Sequence, residues 1–312
     1  MMRSLFSAVS GLKSHQTAMD VIGNNVANVN TTGYKSSRTI FQDIYSQTIR
    51  SATAPTSTTG GINAQQVGLG TSISTIGMNM SDGSTQSTSN SLDFAISGDG
   101  FFVVSDGNGG YYYSRNGALT TDPDGYLVTA NGDYVMVIAE NTTDAVADGT
   151  SDDATTSVEN CDSFATDDLT NIQLMKSFTD STTGNKVEYT DYAIDSNGLI
   201  TVTAATTDST TGETTKAIKT IGRVVLATFN NAGGLEKAGS SYYVQGANSG
   251  APAYDFAGNN CGSLASGSLE MSNVDLATEL TNMIITQRGF QANSRVITTS
   301  DTFLEELINL KR

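Results

Sequence analysis

The stretch Leu5-Phe-Ser-Ala-Val-Ser-Gly-Leu-Lys-Ser-His-Gln-Thr-Ala-Met-Asp-Val-Ile-Gly-Asn-Asn-Val-Ala-Asn-Val29 decides how this chain starts to fold. Within it Leu5, Val9, Leu12, Gln16, Met19, Ile22, Val26 and Val29 recur at steps of four and three, which puts them on one stripe of a helix. One of the eight, Gln16, is polar. No proline interrupts the run, and Asn28, Asn30 and Gly33 supply helix-stopping chemistry behind it. An amphipathic helix over residues 1–30 follows.

The far end of the chain repeats the pattern. Leu276, Leu280, Met283, Gln287, Phe290, Ser294, Ile297, Asp301, Leu304 and Ile308 keep the same rhythm. Ser272 or Asn273 is placed to cap this second helix, Asp275 and Glu279 suit its first turns, and Lys311 and Arg312 suit its C-terminus. The polar stripe positions Gln287, Ser294 and Asp301 argue against a stable isolated coiled coil. They fit a helix that packs among several neighbours and needs its register fixed.

Between the helices the pattern turns to strands. Asp93-Phe-Ala-Ile-Ser, Gly100-Phe-Phe-Val-Val, Gly110-Tyr-Tyr-Tyr-Ser and Gly125-Tyr-Leu-Val-Thr are short β-rich runs separated by Gly, Asp and Asn, as antiparallel hairpins require. Further strands are predicted at Lys186–Ala193 and Leu199–Ala204, joined by the turn Asp195-Ser-Asn-Gly198, and at Arg223–Phe229 and Ser241–Gln245. The expected fold is α+β, with the terminal helices pairing as a coiled-coil-like layer around mainly antiparallel β domains. The expected division is a helical domain of residues 1–30 and 275–312, an extended linker over 31–70 with a short strand near Thr71–Ile76, a discontinuous β domain of 71–140 and 218–274, and an inserted outer β domain over 141–217.

Composition narrows the function. The 312 residues carry a formal charge of −16, with no Trp, three Pro and a single His. Residues 82–275 hold 26 acidic and 7 basic residues, while residues 1–81 hold 2 acidic and 5 basic, and the last 37 residues hold 4 of each. Near-neutral ends and an acidic middle suggest ends packed together and a middle in water. The excess of acid argues against nucleic acid as a partner, and against binding to an anionic membrane surface. No stretch approaches the ~20 apolar residues of a membrane span, so no insertion is expected, and no Sec-type signal peptide is legible.

Several segments together are similar to one known family. Met19-Asp-Val-Ile-Gly-Asn-Asn-Val-Ala-Asn-Val-Asn-Thr-Thr-Gly-Tyr-Lys35 resembles the N-terminal signature of bacterial flagellar rod and hook proteins. Ser97-Gly-Asp-Gly-Phe-Phe-Val resembles the strand that opens their first β domain. Met271-Ser-Asn-Val-Asp-Leu, and Thr286-Gln-Arg-Gly-Phe-Gln-Ala-Asn-Ser-Arg-Val-Ile to the end, resemble their C-terminal signature. Lys35-Ser-Ser-Arg-Thr-Ile-Phe-Gln-Asp and Ile285-Thr-Gln-Arg-Gly-Phe-Gln-Ala-Asn-Ser-Arg are closer to the hook members than to the distal rod members.

The resemblance implies a helical tube of identical subunits, lined by the terminal helices, acting as a flexible joint that passes motor torque to the filament. It implies export by the flagellar type III apparatus to an extracellular position in the flagellum. The partners implied are the distal rod, hook cap and hook–filament junction proteins. In some spirochaete members neighbouring subunits are cross-linked through a Cys and a Lys; Cys161 could serve, and an inert thiol is the simpler reading.

The candidate functional residues are accordingly a subunit interface: the first stripe, with Asn24, Asn25 and Asn28 beside it, and Leu276, Leu280, Met283, Gln287, Phe290, Ile297, Leu304 and Ile308 of the second. The three amides are expected to pair with neighbouring backbone, because buried amides must be paired. An apolar stripe on a lone helix has nothing to bury it, so the ends are expected to order fully only on assembly. No catalytic residue, cofactor or metal is expected. His15 is the only imidazole available to a triad and stands between Ser14 and Gln16 on the helix. Asp122, Asp124 and Gly125 read as a hairpin turn, since the other ligands of a calcium loop are missing. A secreted adhesin would need a secretion signal or anchor, and a glycan-active enzyme a carboxylate pair among aromatic platforms; neither is legible.

Overall fold

A computed structural model describes residues 2–56, 60–107, 109–139, 169–179, 185–208 and 213–310. Within the expected insertion, Cys161 and the whole of 141–168, with 180–184 and 209–212, lie outside them, as do Lys311 and Arg312. The chain divides into two compact units, one of residues 1–29, 35–79 and 274–312, the other of 30–34 and 80–273. The terminal helices flank a mostly antiparallel β middle, as the stripe spacing and turn chemistry predict.

Among the described residues the first unit holds α1 (Met2–Ala27), α2 (Leu276–Asn309) and four strands, β1 (Ser37–Asp43), β2 (Ser46–Arg50), β3 (Gln65–Gly68) and β4 (Thr71–Met78). β1 pairs with β4 and β2 with β3, both antiparallel. The Ile44 N–H donates to the Gly70 carbonyl and the Leu69 N–H to that of Tyr45, so the two pairs run on into one long ribbon. The stretch read as an extended linker is thus paired for most of its length. Its Thr, Ser and Gln side chains are largely exposed, so no hydrophobic alternation advertises the pairing.

Asp275, and neither Ser272 nor Asn273, caps α2. Its carboxylate accepts from the Ala277 N–H at 3.0 Å and the Thr278 hydroxyl at 2.6 Å, and these bonds hold it below its ordinary pKa. Asn273 is engaged elsewhere: its side-chain amide donates to the Ser81 carbonyl at 3.0 Å.

Among the described residues the second unit holds seventeen strands. The first seven are β5 (Thr85–Ser87), β6 (Phe94–Ser97), β7 (Phe101–Ser105), β8 (Tyr111–Ser114), β9 (Leu119–Thr121), β10 (Leu127–Thr129) and β11 (Tyr134–Ala139). After β12 (Thr170–Asn171) and β13 (Ser177–Thr179) come the long strands β14 (Lys186–Ile194), β15 (Leu199–Thr207) and β16 (Thr214–Thr228). β17 (Glu236–Gly239), β18 (Tyr242–Val244), β19 (Ala253–Phe256), β20 (Ser263–Ser266) and β21 (Ser268–Glu270) complete it.

The main sheet runs in the order β13-β14-β15-β16-β11-β7-β8-β18-β17, every pairing antiparallel. β7 is buried at all five positions, and Phe94, Phe102, Val104, Leu127, Ile200 and Leu226 fill the core. Asp122 closes the β9–β10 hairpin, its carboxylate accepting from the Asp124 and Tyr126 N–H groups while Gly125 takes φ +84°. Asp195 to Gly198 turns between β14 and β15, the Gly198 N–H donating to the Asp195 carbonyl and Gly198 standing at φ +75°.

One buried ion pair organises the edge of this unit. Arg115 on the turn after β8 reaches Glu270 at the end of β21 at 3.3 Å, and Asp82 at 3.4 Å. The Glu270 carboxylate also accepts from the Gly83 N–H, its carbonyl accepts from the Gly33 N–H, and the Arg115 guanidinium lies 5.2 Å from the Phe101 ring centre. A side chain at Gly33 would stand 2.7 Å from the Arg115 backbone, which explains a glycine with φ +67° there.

Candidate assembly surface

The two helices run antiparallel. Gly11 faces Asn293, His15 faces Gly289, and the Asn25 amide donates to the Glu279 carboxylate at 3.3 Å, so each step along α1 is matched by an equal step back along α2. The seam is lined by small and polar residues. A Cβ on Gly11 would lie 2.7 Å from the Asn293 amide nitrogen, and one on Gly289 would lie 2.8 Å from the His15 ring. Ala8, Ala18, Thr286 and Ser300 are buried along the same helices. Close approach of two helices needs such residues, because a larger side chain at the crossing would hold the backbones apart.

The ribbon is held against the other flank of α1. Ser10 accepts from the Thr71 N–H at 3.2 Å, Ser14 donates to the Thr71 carbonyl at 3.4 Å, and His15 packs on Phe41 with ring centres 5.7 Å apart. Asn25 is the keystone. Its amide donates to the Ser37 carbonyl at 2.8 Å and accepts from the Ser37 N–H at 3.0 Å, so a single buried side chain joins α1, β1 and α2. Asn28 folds back on Asn24, at 2.9 Å to both its carbonyl and its side-chain oxygen, and so finishes the last turn of α1. Desolvation at this junction raises the pKa of Glu279, against the lowering effect of its hydrogen bond from Asn25.

With the seam occupied by small residues, much of the predicted stripe is left outside it. Leu276, Leu280, Phe290 and Ile308 are exposed, as are Gln16, Asn24 and Gln287. Leu5, Val9, Leu12, Met19, Val26, Asn28 and Val29 on α1, and Met283, Ile297 and Leu304 on α2, are half-buried; Ile22 and Asn25 are buried. Off the stripe, Ile284, Ile285, Phe303, Leu307 and Leu310 are exposed too. The seam residues Gly11, His15, Gly289 and Asn293 escaped the sequence reading, which followed large apolar side chains. The recurrence of Ala8, Gly11 and Ala18 on one face was the signal available.

Among the described residues no group of three or more His, Cys, Asp and Glu side chains comes together in a way that could hold a metal ion. No described helix is long and apolar enough to cross a membrane. Cys261 is buried against the core, and burial, with Asp255 nearby, pushes its thiol up to about 11.

Comparison with known proteins agrees with this arrangement. Residues 5–35 match a family described as flagella basal body rod protein, residues 95–202 the flagellar hook protein FlgE/F/G D1 domain, and residues 265–310 the flagellar basal body rod FlgEFG protein C-terminal family. The flagellar basal-body rod protein FlgG of Bacillus subtilis is 40% identical over 314 residues, covering 100% of both chains. The flagellar hook protein FlgE of Borreliella burgdorferi is 31% identical over 442 residues, again covering 100% of both. That of Helicobacter mustelae is 49% identical over 138 residues, 44% of this chain and 30% of its own. Terminal helices, an antiparallel β middle and relatives matched from end to end agree: this chain belongs to the flagellar rod and hook family, structural proteins and not enzymes, which polymerise within the axis of the flagellum.

Proposed function

We propose that the chain is the subunit of the flagellar hook, the flexible tube that carries torque from motor to filament. The observation that carries the reading is the incompletely buried apolar surface of the helix pair: among the described residues Leu276, Leu280, Phe290 and Ile308 remain 37–67% exposed. Each leucine-sized side chain that a neighbour covers contributes roughly 1.5–3 kcal/mol. A tube in which these helices touch on all sides supplies the cover, and the other stripe positions on both helices then become subunit contacts. Residues 141–217 form the outer domain in this reading. Export runs through the flagellar type III apparatus, and the contacts at the tube ends are with the distal rod, hook cap and hook–filament junction proteins.

Support for hook over rod comes from the segment Lys35–Asp43; hook and rod relatives both align along the whole chain. A distal rod subunit is the second reading. The alignment with the rod protein favours it, for it needs only about as many positions as this chain has residues, whereas the hook alignment needs many more. Immunogold labelling of isolated hook–basal bodies with an antibody against this chain separates the two. Label along the curved segment outside the rings is expected; label confined to the straight segment within them makes it the rod.

A further inference from the structure

The antiparallel register fixes how far each helix extends. Continued from Gly11–Asn293 and His15–Gly289, it brings the start of α1 opposite about Thr302 of α2. The last turns of α2 therefore have no part of α1 beside them. They carry Phe303, Leu307, Ile308 and Leu310, with exposures from 51% to 82%, together with Glu305 and Glu306.

Near the opposite end of the same pair lies a groove of about 290 Å³ between α1, β1 and α2. Ala18, Ile22, Phe41 and Ile285 make its walls apolar, and Arg38 and Glu279 stand at it. It has room for one or two large apolar side chains and is small for a drug-sized ligand. Groove and overhang stand roughly 36 Å apart along α2, at 1.5 Å per residue.

We infer that these are two halves of one contact: the overhanging end of α2 from one copy seats its apolar side chains in the groove of the next copy along the axis. The inference rests on the axial-subunit reading and adds to it the surfaces and their polarity. The occupant is a second copy for three reasons. Knob and groove are different surfaces at opposite ends of one body, so they cannot satisfy each other within it. Such unlike surfaces join head to tail and generate open filaments, unlike the self-matching patch of a two-fold dimer. Family members also polymerise along an axis, which supplies that next copy.

Cysteine cross-linking tests this in the full-length chain, with Cys161 and Cys261 first replaced by Ser. Ile285→Cys and Leu307→Cys both fall at exposed positions, 63% and 51%, where a smaller side chain does not disturb folding. Equal amounts of the two single variants are mixed, allowed to polymerise and oxidised. Disulfide dimers from the mixed tubes, at least tenfold above those from either variant alone, are the expected result. Tubes without such dimers overturn the inference and leave the axial-subunit reading standing. Failure of the unsubstituted protein to form tubes or to restore motility to a deletion strain counts against that reading, and the inference falls with it. As a second measure, Leu307→Asp should raise the concentration needed for polymerisation at least tenfold with helix content unchanged; an unchanged threshold also overturns the inference.

Discussion

Arg115 and Glu270 meet at 3.3 Å with only 2% and 1% of their side chains exposed, although 155 residues separate them in sequence. Charges so far from water persist only with partners, and here the Gly83 amide, Asp82 and the Phe101 ring stand beside the pair. Arg115→Ala leaves the Glu270 carboxylate buried without its cation. The expected loss is about 3–5 kcal/mol, read by urea unfolding of the β unit. A double replacement, Arg115→Met with Glu270→Leu, should recover most of it, since an apolar pair of similar volume carries no desolvation penalty.

Gly289→Val tests the helix seam. In an isolated helix the change would be favourable, because glycine is the poorer helix former by several tenths of a kcal/mol. Here the new side chain enters the space of the His15 ring. Overpacking of about 1–3 kcal/mol is expected, with loss of tube formation ahead of any change in the β unit. Circular dichroism with sedimentation separates the two effects.

Asn25 and Glu279 give opposite expectations. Asn25→Ala strips partners from both the N–H and the carbonyl of Ser37 and should destabilise the first unit by about 1–3 kcal/mol. Glu279→Gln keeps an acceptor for Asn25 and removes a carboxylate whose folded pKa is raised by desolvation. A raised carboxyl contributes its full stabilisation below its unfolded pKa and loses it as pH climbs through the folded value. The Gln variant should therefore be the more stable at neutral pH, with the advantage vanishing in acid, as thermal unfolding between pH 3 and about 7 will record.

The strands and terminal helices were legible because each has a local signal: turn residues at hairpin ends, and a four-three rhythm at the termini. The seam was not, since Gly11, Gly289 and Asn293 matter for what they leave out, and a hydrophobic pattern does not register absence. The Arg115–Glu270 pair was illegible for another reason: no short-range rule links an arginine in a turn to a glutamate 155 residues later. Asp275 was assigned to the first turn and proved to be the cap itself, one step from the expectation and decided by which carboxylate reaches the Ala277 N–H. The ribbon of β1 to β4 escaped notice because a mostly exposed hairpin needs no apolar alternation.

Cys261 should resist chemistry in the folded chain. With its thiol pushed up to about 11, almost no thiolate exists at pH 8, and burial blocks reagents as well. Iodoacetamide should label it only after unfolding. The same shift implies a stability loss as pH rises from the ordinary thiol value of 9.0 toward about 11, because the unfolded chain releases that proton first.

β16 has a mechanical meaning. It runs fifteen residues without a break, exposed from Thr214 to Lys219 and buried from Val224 to Ala227. Its outer half is bonded to β15 and its inner half to β11, β19 and β7. A pull along the strand from its outer end meets hydrogen bonds lying crosswise to the force, which must yield together and not one after another. Strain arriving at the surface of the molecule is thus delivered as shear to its stiffest part, and the strand behaves as a tie bar between rim and core.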